Sequence, residues 1–149
     1  MKDFELGLFE LNSQLANDCL VIGDFPVCRL LLMNDSQYPW FILVPRIADT
    51  EELFQLGEEI QQQVLRESSF LSEVLSVLFS AEKMNVAALG NVVRQLHIHH
   101  VVRFSRDQSW PAPVWGKFPA KPYSDETLSE VLGKITNALC GDFSFQLMV

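Results

Sequence analysis

Positive charge is what this chain has least of. Eleven Lys and Arg stand against nineteen Asp and Glu in 149 residues, a net charge of −8, and the basic residues are scattered along the sequence. Affinity for a phosphate backbone needs a clustered excess of Lys and Arg, so the composition argues against a nucleic-acid partner. A small anion needs only local positive charge and stays in play. Long apolar runs are also missing. Although 48% of residues are hydrophobic, none of the runs approaches the roughly 20 residues that span a bilayer, so no membrane partner is expected. Cys19, Cys28 and Cys140 are an odd set without metal-like spacing, which reads as small buried hydrophobes and not as a disulfide frame. The start Met1-Lys2-Asp3-Phe4-Glu5 lacks the basic-then-apolar shape of a signal peptide. Reduced thiols and a cytoplasmic protein are the expectation. There is no internal repeat, low-complexity tract or linker, and the length suits one core, so residues 1–149 are taken as a single domain.

What is present is a sequence of alternating strand and helix patterns. Leu8, Leu11 and Leu15 have helical spacing within Phe4 to Asp18, predicting a short helix at an edge. Cys19 to Ile22, Val27 to Met33 and Trp40 to Val44 read as three strands, the last two joined through the polar turn Asn34-Asp35-Ser36-Gln37 as an antiparallel hairpin. Asp49-Thr50-Glu51-Glu52 resembles a helix start with a capping box, and the apolar stripe from Leu53 to Leu78 predicts a long amphipathic helix packing on the sheet. Met84 to Leu89 and Gln95 to Phe104 are the fourth and fifth strands, Asp107 to Gly116 a loop broken by two prolines, and Ser124 opens a last helix. The expected fold class is therefore α+β: a sheet of about five antiparallel strands, with one long helix and one or two shorter ones on one side.

The three histidines all fall in one stretch, Gln95-Leu-His-Ile-His-His-Val-Val-Arg103. Side chains alternate across a strand, so Gln95, His97, His99 and Arg103 share one face while Leu96, Ile98, His100, Val102 and Phe104 share the other. The second face is apolar and should look into a core, which leaves His97 and His99 on a polar, reachable face. Just upstream, Gly90-Asn91 marks a turn that brings backbone back beside this strand.

Gly-Asn-x-x-x-Gln-Leu-His-Ile-His, with Arg103 four residues after the second histidine, resembles the histidine triad (HIT) family of nucleotide hydrolases and transferases, whose signature is His-φ-His-φ-His-φ-φ with φ apolar. Gln95 then falls at the first triad position, His97 at that of the nucleophile and His99 at the third; the substitution by Gln is similar to that of a bacterial branch. Residues 30–104 carry the resemblance as a motif core, and 105–149 form a C-terminal extension. The resemblance implies a HIT-like fold and a homodimer with joined sheets. It also implies attack by His97 on the α-phosphorus of a nucleotide or dinucleotide, giving a nucleotidyl-histidine that water resolves, with no cofactor. His99, Gln95, Asn91 and backbone near Gly90 become candidate donors to the developing charge. Asn34 and Asp35 become candidate nucleoside contacts, against the simpler reading that they close the hairpin. Gln95 can hydrogen-bond but cannot carry a proton, so a nucleotide-binding module without catalysis is the alternative. A metal site on His97 and His99 is a distant third, because no carboxylate lies within the motif. His100 is expected to be a core histidine bonded to backbone and Arg103 to form an ion pair; Trp110 and Trp115 either flap over a ligand or fill a gap at the sheet edge, and packing is the favoured account.

Overall fold

The computed structural model describes residues 4–148. Its centre is an antiparallel sheet built from β1 (Cys19–Asp24), β2 (Cys28–Met33), β3 (Trp40–Pro45), β4 (Lys83–Ala88), β5 (Ile98–Arg103) and β6 (Gln146–Leu147), in the spatial order β4-β5-β3-β2-β1-β6. The sixth strand comes from the C-terminal tail, whose Leu147 and Gln146 pair with Gly23 and Asp24. Gly23 sits where the β1–β2 register shifts, with Phe145 and the Gln146 carbonyl pressed where a side chain would start. The tail can dock there because that position has no Cβ.

Both faces of the central strands are buried, and alternation divides them. Leu30, Leu32, Phe41, Leu43, Ile98 and Val102 face a first core, completed by Val64, Leu71 and Leu75 of the long helix α2 (Glu58–Leu78) and by Ile135 and Leu139 of α3 (Asp125–Leu139). Leu31, Trp40, Ile42, Val44 and Val101 face a second core. That core is covered by Leu15 of the short helix α1 (Ser13–Asp18) and by Val114 and Trp115 from the loop after β5. The sequence predicts all helices on one side, but α1 lies on the histidine face, its Leu15 packed into the second core.

Two helix boundaries differ from the sequence reading. The expected helix over Phe4 to Asp18 is confined to Ser13–Asp18, capped by the Asn12 side chain, which accepts the Gln14 N–H at 2.8 Å. Phe4 and Leu6 pack on the first core and Phe9 and Leu11 on the second, a division that one face of a helix cannot make. The long helix begins at Glu58 and not near Asp49, which adopts a left-handed φ of 54°. The Gln55 side chain accepts the N–H groups of Glu51 and Glu52 at 2.8 and 2.9 Å, closing a separate short turn at Leu53–Gln55. Gly57 then serves as the N-cap of α2, with Glu58 and Glu59 in its first turn, where negative charge suits the helix dipole.

One carboxylate ties α2 to the sheet. Glu67 is fully buried and accepts the backbone N–H of Val27 at 3.0 Å, that of Cys28 at 2.7 Å and the side-chain amide of Gln63 at 2.8 Å. It satisfies the donors left by the β1–β2 turn. Glu67→Ala is expected to cost about 2–4 kcal/mol in urea unfolding, since two buried N–H groups lose their acceptor. Burial pushes the Glu67 carboxyl above its ordinary value, so the folded chain keeps this proton at pH values where the unfolded chain has released it. Stability from this group therefore falls as pH rises through that window. Compared with Glu67→Gln, the wild type should gain stability as pH is lowered from neutrality toward the ordinary carboxylate range; an unchanging difference would contradict this assignment.

Candidate functional site

The first regular strand residue is Ile98, so Gln95, Leu96 and His97 lead into β5 instead of belonging to it, yet the alternation carries through. His97, His99 and Arg103 project to the second face and His100 to the first. The pairing of Ile42 with His99 and of Trp40 with Val101 brings β3 side chains of the same face alongside. His97 and His99 are not on an open surface, as the sequence suggested: each is only 5% exposed. The N-terminal segment and the loop after β5 cover that face, a non-local event that strand periodicity does not report.

His97 is held through its own backbone: Nδ1 lies 2.6 Å from the carbonyl oxygen of Gln95. A carbonyl only accepts, so Nδ1 carries a proton, and in the neutral ring Nε2 holds the lone pair. Among the described residues, none bonds Nε2. His99 is held the opposite way. The indole Nε1–H of Trp40 donates to Nδ1 of His99 at 2.9 Å, and because an indole N–H only donates, that nitrogen is unprotonated and the proton sits on Nε2. The ring of His99 packs between Trp40 and Trp115, with centroids 5.7 and 5.3 Å away, and against His97 at 4.9 Å. Burial, and then the neighbouring His97 and His100, push its pKa down to about 3. His100 is the core histidine expected, with Nδ1 against the Ile98 carbonyl at 3.0 Å and Nε2 at 2.7 Å from the Ser68 hydroxyl.

Gln95 is placed differently from a free phosphate donor. Its Oε1 accepts the Asn12 N–H at 2.9 Å and its Nε2 donates to the Glu10 carbonyl at 3.0 Å. The amide clamps the N-terminal segment beside the histidines, a use that no local pattern signals because the partners lie more than eighty residues upstream.

Two clefts flank the histidine pair. The first, of about 370 Å³, is lined by His97, Gln95, Gly90, Asn91, Arg94 and Glu51 among others, so the Gly-Asn turn and His97 border the same cleft. Arg94 and Glu51 form a two-pronged ion pair at 2.9 Å at this cleft, which lowers the pKa of Glu51, chiefly through the hydrogen bond. The second cleft, of about 460 Å³, is lined by His99, Trp40, Trp115, Asn34, Asp35 and Asp18 among others. Asn34 and Asp35 therefore stand at a cleft wall, but their carboxyl and amide oxygens also bind backbone. Asn34 Oδ1 accepts the Tyr123 N–H at 2.9 Å, and Asp35 Oδ1 accepts those of Gln37 at 3.1 Å and Lys121 at 3.3 Å. They fasten the chain before α3 to the hairpin turn.

Arg103 forms the expected ion pair. Its Nε donates to Asp107 at 2.8 Å, with the side chains 1% and 4% exposed, and further N–H groups donate to Asn85 at 2.7 Å and to the Ala112 carbonyl at 2.8 Å. Asp107 in turn accepts the N–H groups of Phe104, Ser109 and Trp110. This network shapes the loop that brings Trp115 to His99. Trp40 is the site residue the sequence reading missed; its signal is the parity it shares with His99, visible only once β3 is known to lie beside β5. Among the described residues, no three His, Cys, Asp or Glu side chains converge to hold a metal.

The HIT domain family model matches residues 14–106. The structure is similar to that of a histidine triad protein from Marinobacter aquaeolei, at 50% identity and a TM-score of 0.87 over 89% of this chain and 97% of that one. A histidine triad protein from Sinorhizobium meliloti is 38% identical, with a TM-score of 0.87 over 91% and 100% of the two chains. A diadenosine triphosphate hydrolase from Plasmodium falciparum, 18% identical, shares the fold with a TM-score of 0.58 over 97% of this chain and 88% of that one. No curated protein matches the sequence.

The clamp by Gln95 has a direct consequence. Gln95→Ala should speed hydrogen exchange at the Asn12 amide by about fivefold to tenfold, the loss of one hydrogen bond worth about 1 kcal/mol. Unchanged exchange across residues 10–15 would show that the segment is held by its apolar contacts alone.

Proposed function

This chain belongs to the histidine triad family, and we propose that it binds a purine nucleotide or dinucleotide and hydrolyses or transfers at the α-phosphate through His97. The observation that carries the reading is the state of that ring. A histidine nucleophile must be neutral, with one nitrogen protonated and held and the other free. His97 has its Nδ1 proton held by the Gln95 carbonyl and an unbonded Nε2, in a side chain that lines the cleft of Gly90 and Asn91. Its Nε2 attacks phosphorus, a nucleotidyl-histidine forms, and water releases the nucleotide. Asn91, backbone near Gly90 and the Nε2–H of His99 are the donors to the phosphoryl oxygens, and Asn34 and Asp35 border the space for the nucleoside. Within this reading the protein is cytoplasmic and needs no cofactor, and two copies join their sheets. The β4 edge, with Val86 half exposed, is compatible with that joining. No helix among the described residues is long and apolar enough to cross a membrane.

A second reading, a nucleotide-binding module without turnover, is favoured by one feature. Gln95 is engaged at both ends of its amide with backbone and brings no proton to the chemistry. The two readings separate in a denaturing quench without acid, after mixing with α-labelled nucleotide substrates. Label on the chain in the wild type and none in His97→Ala is the expected outcome. Adenosine nucleotide binding with neither label nor product would leave only the binding module.

A further inference from the structure

We propose that Trp40, by donating its indole N–H to Nδ1 of His99, keeps His99 a fixed Nε2–H donor and never an acid, and so restricts reaction at His97 to substrates whose leaving group departs as an anion. The inference rests on the nucleotidyl-transfer reading above and deepens it by assigning a specificity-determining residue that acts through another.

In the first step a bond forms between His97 Nε2 and phosphorus, the bond from phosphorus to the leaving group breaks, and the leaving atom keeps the electron pair. His97 retains its Nδ1 proton against the Gln95 carbonyl, so it gives none away. Gln95, on one side, has no proton to transfer. His99, on the other, could act as an acid only as an imidazolium, with protons on both nitrogens. An N–H of Trp40 stands 2.9 Å from the nitrogen that would have to gain the second proton. Two donors would then face each other inside a site that is 5% exposed, where the lost bond and the buried charge both weigh against the cation.

The remaining surroundings do not reverse this. His97 lies 4.9 Å from the ring and opposes a positive charge, as does His100. Trp115 closes one flank at 5.3 Å, and Asp18 and Asp35 line the cleft onto which His99 opens. Asp35 is engaged with backbone. At the cleft of His97, Glu51 is held ionised by Arg94, and Glu52 lines the same wall. A leaving group that is already stable as an anion, as in a phosphoanhydride, needs no proton. A phosphoramidate, whose amine cannot leave as an anion, does. In the second step water attacks phosphorus, the N–P bond returns its pair to His97 Nε2, and the proton of the water goes to solvent.

Three measurements on the wild-type protein test this. Nitrogen-detected NMR of ring-labelled protein should show His99 with Nδ1 unprotonated and Nε2 protonated at neutral pH and no titration down to pH 5. Turnover of adenosine 5′-(aryl phosphates) whose leaving-group pKa values span about four units should fall steeply along the series, approaching tenfold per unit, as Brønsted behaviour requires without a general acid. An adenosine 5′-phosphoramidate should turn over at least about a hundredfold more slowly than diadenosine tetraphosphate. Trp40→Phe should raise the pKa of His99 and flatten the leaving-group dependence, and a folded variant with neither change overturns the role given to Trp40; if that variant does not fold, the wild-type measurements decide alone. A protonated Nδ1 on His99, a flat series, or phosphoramidate turnover matching that of the anhydride overturns the proposal and leaves His97 catalysis standing. Turnover of no substrate, with nucleotide still bound, removes the catalytic reading and this restriction with it.

Discussion

A strand that, with its lead-in, carries two imidazoles and a guanidinium on one face can be buried only if those polar groups find partners or open onto a cleft, and most of this structure is the answer to that demand. Arg103, 1% exposed, is met by Asp107, Asn85 and the Ala112 carbonyl. Asp107 uses its remaining lone pairs on the turn that follows, so the ion pair becomes the frame of a loop. Breaking such a pair from one side leaves an uncompensated buried charge, at a cost of about 3–5 kcal/mol. The loop then delivers Trp115 to His99, and Trp40 fills the other side. Structure and chemistry share the same bonds here: the contacts that make burial of β5 tolerable also set which nitrogen of each histidine bears a proton.

Much of this was legible in the sequence. Alternation along Gln95 to Arg103 placed His97, His99 and Arg103 on one face and His100 on the other, because a strand's two-residue period is insensitive to where the strand begins. That is why β5 starting at Ile98, three residues late, changed nothing about the faces. Ser124 as the start of the last helix was equally readable, since its side chain accepts the Thr127 N–H within one turn. The family resemblance added the fold, which the HIT domain match over residues 14–106 bears out and which periodicity alone does not contain.

The rest was hidden for a common reason: it depends on partners far apart in the chain. Gln95 bonds residues 10 and 12, Glu67 bonds residues 27 and 28, and Trp40 bonds His99. Each is a polar side chain answering a donor or acceptor that only the assembled fold strands. The misplaced start of α2 is the local exception. Asp49 and Glu52 have the composition of a cap, but Gln55 reaches the same N–H groups first, and Gly57 offers a later start. Propensity identified a helix end without deciding between two competing closures about two turns apart.

Keeping the imidazoles neutral also couples the chemistry to stability. His99 and His100 have their pKa values pushed down to about 3 and about 4, in both cases first by burial. In the unfolded chain a histidine titrates near 6.5, so below that value the unfolded state binds protons that the folded state refuses. Stability contributed by these rings is full above the unfolded value and is lost as pH falls through the interval down to the folded ones. Glu67 works in the opposite direction, since its raised carboxyl binds its proton more readily in the folded chain. These two buried rings, one on each face of β5, thus give up some acid tolerance in return for fixed tautomers. A site that relied on a histidine acid would need the reverse arrangement: an acceptor, not an indole N–H, behind the ring at position 99.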